Sequence, residues 1–215
     1  MHMRERYQGC LIGLAVGDAV GTTVEFKPPG SFAPVTDMVG GGPFRLAAGQ
    51  WTDDTSMALC LAESLIECQG YQPLNQMERY QRWYRDGHLS STGSCFDIGN
   101  TVRQALATFA QTRAPYSGAT DPFSAVNGSL MRLAPIPLFY AGNAQVAVAQ
   151  AGESSRTTHG SQLAIDACRY FGGLLVGAVQ GWDWWHPRPL ATKACLSFLT
   201  RSICRTALST QSSGC

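Results

Sequence analysis

Residues 49–70 read GQWTDDTSMALCLAESLIECQG, and the fold turns on how they are read. From Asp54 onward, Met57, Leu61, Leu65 and Cys68 recur at spacings of three and four. That spacing predicts one apolar stripe along an amphipathic helix, ended by Gly70. Two adjacent carboxylates, Asp53 and Asp54, stand where the helix begins, and like charges side by side cost energy unless something positive is near. Two readings stay open on these residues alone. In one, Thr52 or Asp53 caps the helix and the other acid favours its positive N-terminus. In the other, Thr52, Asp53 and Asp54 are hard oxygen ligands for Mg²⁺ or Mn²⁺, held still by the helix start.

The helical period continues on both sides. Residues 7–20 form a first helix in which Gly9, Gly13, Gly17 and Gly21 line one face, and Gly173, Gly177 and Gly181 make a similar ridge late in the chain. Each interior glycine costs roughly 0.5–1 kcal/mol against alanine, so these ridges predict close helix–helix contact. Pro73 opens a helix running to about Tyr84, Asp97 caps one running to about Thr112, and residues 143–152 and 159–181 read as two more. Residues 26–50, 86–100 and 117–129 are rich in Gly, Pro, Ser and Asp and read as loops. Alternating patterns of strand type are nearly absent, so the expectation is an all-α domain over residues 1–181. From Trp182 the composition shifts, three of the eight cysteines follow and nothing acidic follows Asp183. Residues 182–215 are expected to be a divergent tail, frameshifted or disordered, with a helical patch around 191–208.

Composition excludes several function classes. The chain has 215 residues, 45% apolar and 14% charged, with a formal net charge of +1. It therefore offers no basic patch for nucleic acid. Arginines ahead of an apolar stretch imitate an export signal, but Asp18 interrupts the run and no small-x-small cleavage site follows. No window reaches the roughly 18 apolar residues of a membrane span. The cysteines form no C-x-x-C pair, and Cys10, Cys60, Cys68 and Cys168 fall in helical apolar patterns, so free thiols in a reducing, cytoplasmic setting are expected. There is no phosphate-binding G-x-x-x-x-G-K-[ST] loop, and His2, His88, His159 and His186 show no i,i+4 pair for zinc.

Polar groups cluster where the apolar pattern breaks: Asp18 and Glu25, Asp97 and Asn100, Asn127-Gly128 with Arg132, and His159 with Asp166. Each has a structural account: Asp97 and Thr158 as caps, Arg132 as a surface charge, His159 as a satisfied structural histidine, Asn-Gly as a turn. Together the stretches GCLIGLAVGDAVG with Glu25, GQWTDDTSMAL, DIGNT, NGSLMRLAPI and TTHGSQLAIDACRYFGGLLVGA resemble the ADP-ribosylglycohydrolase family in order and spacing, over about residues 7–181. The resemblance implies a compact, multi-helix orthogonal bundle with two Mg²⁺ or Mn²⁺ ions in a central cleft. It implies hydrolysis of the bond between ADP-ribose and an acceptor, either a modified protein side chain or a small molecule. It makes Thr52, Asp53 and Asp54 metal ligands, and Glu25 and Asp97 the candidate acid/base groups. Asn100, Asn127, Gly128, Ser129, Met131 and His159 become contacts to ADP-ribose.

One part of the family pattern is absent. The late Gly-Asp-x-Asp-Thr segment that completes a binuclear site has no counterpart here, since no D-x-D follows Asp54. The expectation is a C-terminally truncated relative whose second ion is poorly held and whose hydrolysis is weak or lost. The alternatives are a protein that holds ADP-ribose without turnover, and a purely structural relative.

Overall fold

The structure is a computed structural model that describes residues 2–182. The expectations for a divergent tail and for a helix around 191–208 fall outside this range, apart from Trp182. Among the described residues there are seven α-helices: α1 (Met3–Gly21), α2 (Asp53–Glu67), α3 (Pro73–Asp86), α4 (Asn100–Thr112), α5 (Pro135–Phe139), α6 (Ala144–Arg156) and α7 (Gln162–Gln180). Short 3₁₀ turns cover Thr22–Val24, Pro122–Ser124 and Asn127–Ser129. No strand forms among these residues; two isolated bridges, Gly41 with Leu46 and Ala119 with His159, are the only extended pairings there. The all-α expectation holds.

Local chemistry sets the helix ends. Pro73 supplies the first residue of α3, and Gly87 closes it at φ 67°, in the left-handed region. Asn143 caps α6 by accepting from the Val146 amide at 3.2 Å.

Helix α2 is the axle of the fold because its apolar surface is wide enough to feed two cores. Met57 and Cys60 pack against Met77, Tyr80 and Trp83 of α3 and Val102, Leu106 and Phe109 of α4. Leu61 and Leu65 turn to Leu133, Ile136 of α5, Ala151 of α6 and Cys168 of α7. Burying each large side chain is worth about 1.5–3 kcal/mol, so both seams hold α2 in place. Arg79 of α3 reinforces one seam by pairing with Glu63 and Glu67 of α2.

Several expectations need correction. Asp97 caps no helix: it sits at φ 59°, and Gly99, in extended conformation, precedes α4. Thr158 and His159 do not start α7, which follows Ser161. The reason is a backbone pairing in which Ser117 donates to Thr157, Gly118 to Arg156 and Gly160 to Ala119, and this keeps residues 157–160 out of the helix. Arg132 is no surface charge but fully buried. The ridge Gly9, Gly13, Gly17 and Gly21 makes no close contact: a Cβ at any of them would meet no atom within 4 Å among the described residues. The tight crossing lies instead at Gly172, where a Cβ would stand 2.9 Å from that of Ala151, so α6 and α7 approach closely there. The short α5, which no sequence signal marks, follows from two prolines at 135 and 137 beside buried Ile136 and Leu138.

Candidate active site

The first turn of α2 is capped from a distance. Asp18, near the end of α1, accepts from the Thr52 amide at 3.0 Å to both oxygens and from the Thr52 hydroxyl at 2.8 Å. It also accepts from the Thr55 amide at 3.1 Å and the Thr55 hydroxyl at 2.6 Å. Thr52, in the N-cap position, makes no side-chain cap bond of its own. The cap bonds of the helix start therefore come from Asp18 rather than from Thr52, while Asp53 and Asp54 both stand in the first turn of α2.

Both open onto a cleft of about 650 Å³. Its walls come from the end of α1 (Gly17, Asp18, Gly21), Thr22 and Glu25, Thr52–Asp54, Asp97 to Val102, Val126–Gly128, Met131 and His159, with Ile98 absent from the lining. Ten of the eleven candidate site residues line it: Glu25, Thr52, Asp53, Asp54, Asp97, Asn100, Asn127, Gly128, Met131 and His159. Ser129 does not. Its buried hydroxyl lies 2.9 Å from Ser155 Oγ and accepts from Cys168 Sγ at 3.4 Å, so its side chain serves the α6–α7 packing. Asp166 pairs with Arg169 on its own helix at 3.1 Å. The residue missed as a site group was Asp18; its signal was an acid breaking the apolar pattern of a glycine-lined helix.

Five carboxylates line the cleft, and none forms an ion pair with a Lys, Arg or His among the described residues. Burial and mutual repulsion push up the proton affinities of Glu25, Asp53, Asp54 and Asp97. Asp53, only 6% exposed, is raised to about 8, first by burial and then by Asp97, Asp54 and Asp18. Asp97 is raised to about 7 by burial, then by Glu25, Asp54 and Asp18. Asp54 is raised to about 6 by burial, then by Asp18 and Glu25. Glu25 also rises through burial, moderated by a hydrogen bond from Thr22 Oγ1 at 3.3 Å.

This donor chemistry fits a hard divalent cation, which would supply the charge the cluster lacks. The set is partial, because among the described residues no three His, Cys, Asp or Glu side chains converge at ligand distance. Thr52, Asp53 and Asp54 could offer an ion one hydroxyl and two carboxylates, short of the six oxygens Mg²⁺ takes.

Loops hold the two candidate acid/base groups. Phe26 follows Glu25 and Phe96 precedes Asp97, and both rings pack on Phe44, at centroid distances of 6.3 and 5.4 Å. Gly42 brings the 26–50 loop against the Thr22 carbonyl; a Cβ there, at φ 68°, would stand 2.5 Å from that oxygen, so glycine is required.

A family model described as ADP-ribosylglycohydrolase matches residues 1–212. An "ADP-ribosylarginine hydrolase Tri1" from Serratia proteamaculans is 45% identical over 177 residues, which are 82% of this chain and 48% of that protein. An "ADP-ribosyl-[dinitrogen reductase] glycohydrolase" from Rhodospirillum rubrum is 33% identical over 186 residues, 83% of this chain and 60% of that one. A solved structure titled "ADP-ribosylglycohydrolase-related protein complex" superposes with a TM-score of 0.72 at 45% identity, over 83% of this chain and 57% of that one. The chain thus spans about half the length of the arginine hydrolase it matches.

Proposed function

The chain belongs to the ADP-ribosylglycohydrolase family, and on that premise we propose that it serves a hydrolase that frees ADP-ribose from modified arginine side chains. The observation that carries this reading is the cleft itself: buried Asp53 and half-buried Asp54, Asp97 and Glu25, with no cation partner among the described residues, beside an Asp18 that supplies the cap bonds of α2. Thr52 Oγ1 and the carboxylates of Asp53 and Asp54 would hold Mg²⁺ or Mn²⁺. When bound, such an ion offsets their charge and orients ribose hydroxyls and a water.

The chain's own groups do the rest. Asn100, Asn127, Gly128, Met131 and His159 line the wall that receives ADP-ribose. Amides at the start of α4 and in the 127–129 turn suit its pyrophosphate. A carboxylate oxygen of Asp97 or Glu25 takes a proton from the attacking water as the water oxygen bonds to the anomeric carbon; the broken bond's electron pair leaves with the guanidine nitrogen, which then receives that proton and departs as the free arginine side chain. Asp97, raised to about 7, suits that exchange near neutral pH, and Glu25 is shifted in the same direction. The arginine acceptor is supported by the names of the relatives at 44–45% identity. A reducing cytoplasm is supported by the free thiols Cys10, Cys60, Cys68, Cys95 and Cys168. Among the described residues no helix is long and apolar enough to cross a membrane.

The test is calorimetry of the 215-residue chain with ADP-ribose, with and without Mn²⁺, beside release of free ADP-ribose from an ADP-ribosylated arginine peptide. Expected is binding that EDTA weakens and slow turnover, since three ligand groups leave half of a six-oxygen shell to water. No binding in either condition overturns the reading, and binding with no turnover at all makes the chain an ADP-ribose-holding module instead.

A further inference from the structure

Arg132 is a fully buried guanidinium with no carboxylate partner among the described residues. Its charge rests over the Tyr80 ring at 4.6 Å, and its Nη2 donates to Thr158 Oγ1 at 2.7 Å and Thr157 Oγ1 at 3.3 Å. A guanidinium has no acceptor, so Thr158 Oγ1 must accept from it. That hydroxyl has one other partner among the described residues, His159 Nδ1, at 2.8 Å. A buried hydroxyl proton is almost always used, so it points at Nδ1. With Nδ1 accepting, the neutral imidazole carries its hydrogen on Nε2.

Nε2 is where the chain of bonds stops. His159 is 0% exposed and lines the cleft, and its Nε2 has no partner among the described residues. Backbone bonds fix the ring's root, from the His159 amide to Ser155 O at 2.7 Å and from Gly160 to Ala119 O at 2.9 Å. Gly128 keeps the edge clear: a Cβ there would lie 2.7 Å from Cε1 and 3.0 Å from Nε2. Buried N–H groups without partners are rare in folded proteins, so this one is reserved for a ligand atom.

We propose that Arg132 and Thr158 are positioning residues that set His159 as a neutral Nε2–H donor to an oxygen of the bound ADP-ribose. The identity of the ligand rests on the function proposed above; the relay does not. Burial, and then the Arg132 charge, also keep the ring from protonating, which holds the donor in one form across neutral pH.

Nitrogen NMR of the full chain labelled with ¹⁵N-histidine reads the tautomer directly, with the His159 signals assigned by their loss in His159→Gln. Expected is a single Nε2–H form from pH 5 to 8 in the unmodified chain. Thr158→Val, which keeps the shape and removes the hydroxyl, mixes the tautomers, and Thr158→Ser restores the single form. Saturating ADP-ribose moves the Nε2 signal, and Thr158→Val weakens ADP-ribose binding about tenfold, the worth of one hydrogen bond, while Thr158→Ser binds normally. A hydrogen on Nδ1, or a Thr158→Val spectrum identical to the unmodified one, overturns the relay. An Nε2 signal unmoved by bound ADP-ribose overturns its role toward the ligand. Absence of ADP-ribose binding would count against the function above, and the tautomer spectra would still decide the relay.

Discussion

Asp53 destabilises the metal-free chain as soon as it ionises, because it does so beside Asp18, Asp54 and Asp97 in a buried place. In an unfolded chain an aspartate titrates near 3.9, and here it is raised to about 8. Between those values the folded state holds a proton that the unfolded state lacks, so stability falls as pH rises. From pH 6.5 to 8.5, with a chelator present, urea unfolding is expected to show this loss, up to about 1.4 kcal/mol per pH unit for each proton. Asp97, raised to about 7, adds to it in the same sense, while His159, lowered to about 3, stays neutral when folded. Asp53→Asn should flatten the slope and stabilise the metal-free protein at pH 8; an unmodified chain with no slope would contradict the buried-acid picture. Asp18 acts in the opposite direction, since its removal leaves two amides and two hydroxyls at the start of α2 without an acceptor. Asp18→Ala is expected to cost about 2 kcal/mol in the urea midpoint and to weaken Mn²⁺ binding, because Thr52 loses its anchor. The acid pair was legible as unusual from its own residues. That its cap would come from Asp18, 34 residues away, was not, because a bond between two distant turns leaves no local pattern. Arg132 was misjudged for a related reason: only the fold shows that hydroxyls and a tyrosine ring shelter its charge.

Among the helices, glycine means two different things. In α1, Gly13 faces no atom within 4 Å among the described residues, so Gly13→Ala removes only the entropy cost and should stabilise by about 0.5–1 kcal/mol. In α7, Gly172 sits against Ala151, and Gly172→Val should destabilise by about 1–3 kcal/mol through overpacking. Thermal melts of the two variants are expected to shift in opposite directions; a loss at Gly13 would reveal a partner lying on that face of α1. Helices α2, α3, α6 and α7 were readable because an apolar stripe at the helical period needs no knowledge of its partner. Their starts were less readable. A cap residue in sequence, such as Asp97 or Thr158, is indistinguishable from one held in a loop by φ 59° or by pairing with residues 117–119. A five-residue helix like α5 is too short to show a period at all.

For the molecule as a whole, the expected effect of a divalent ion is stabilisation through its affinity for the folded cleft. Mn²⁺ at 100 times its dissociation constant should add about 2.7 kcal/mol, seen as a raised melting temperature that EDTA reverses. Asp53→Asn combined with Asp54→Asn should abolish that response while leaving the metal-free melt intact or higher. The gathering of five separated sequence stretches into one cleft was legible through the family resemblance they carry together; taken singly, each shows only a polar group breaking an apolar pattern. The inward turn of Ser129 was not, because both faces of that short turn look alike in sequence. A last consequence lies in the three rings, which meet edge-on and tilted. Glu25 and Asp97 are each the chain neighbour of an outer ring of the Phe26–Phe44–Phe96 trio, so Phe44 ties together the two loops that carry the acids. A slimmer side chain at 44 would thus retune the reach between the two acids while leaving the helical frame as it was.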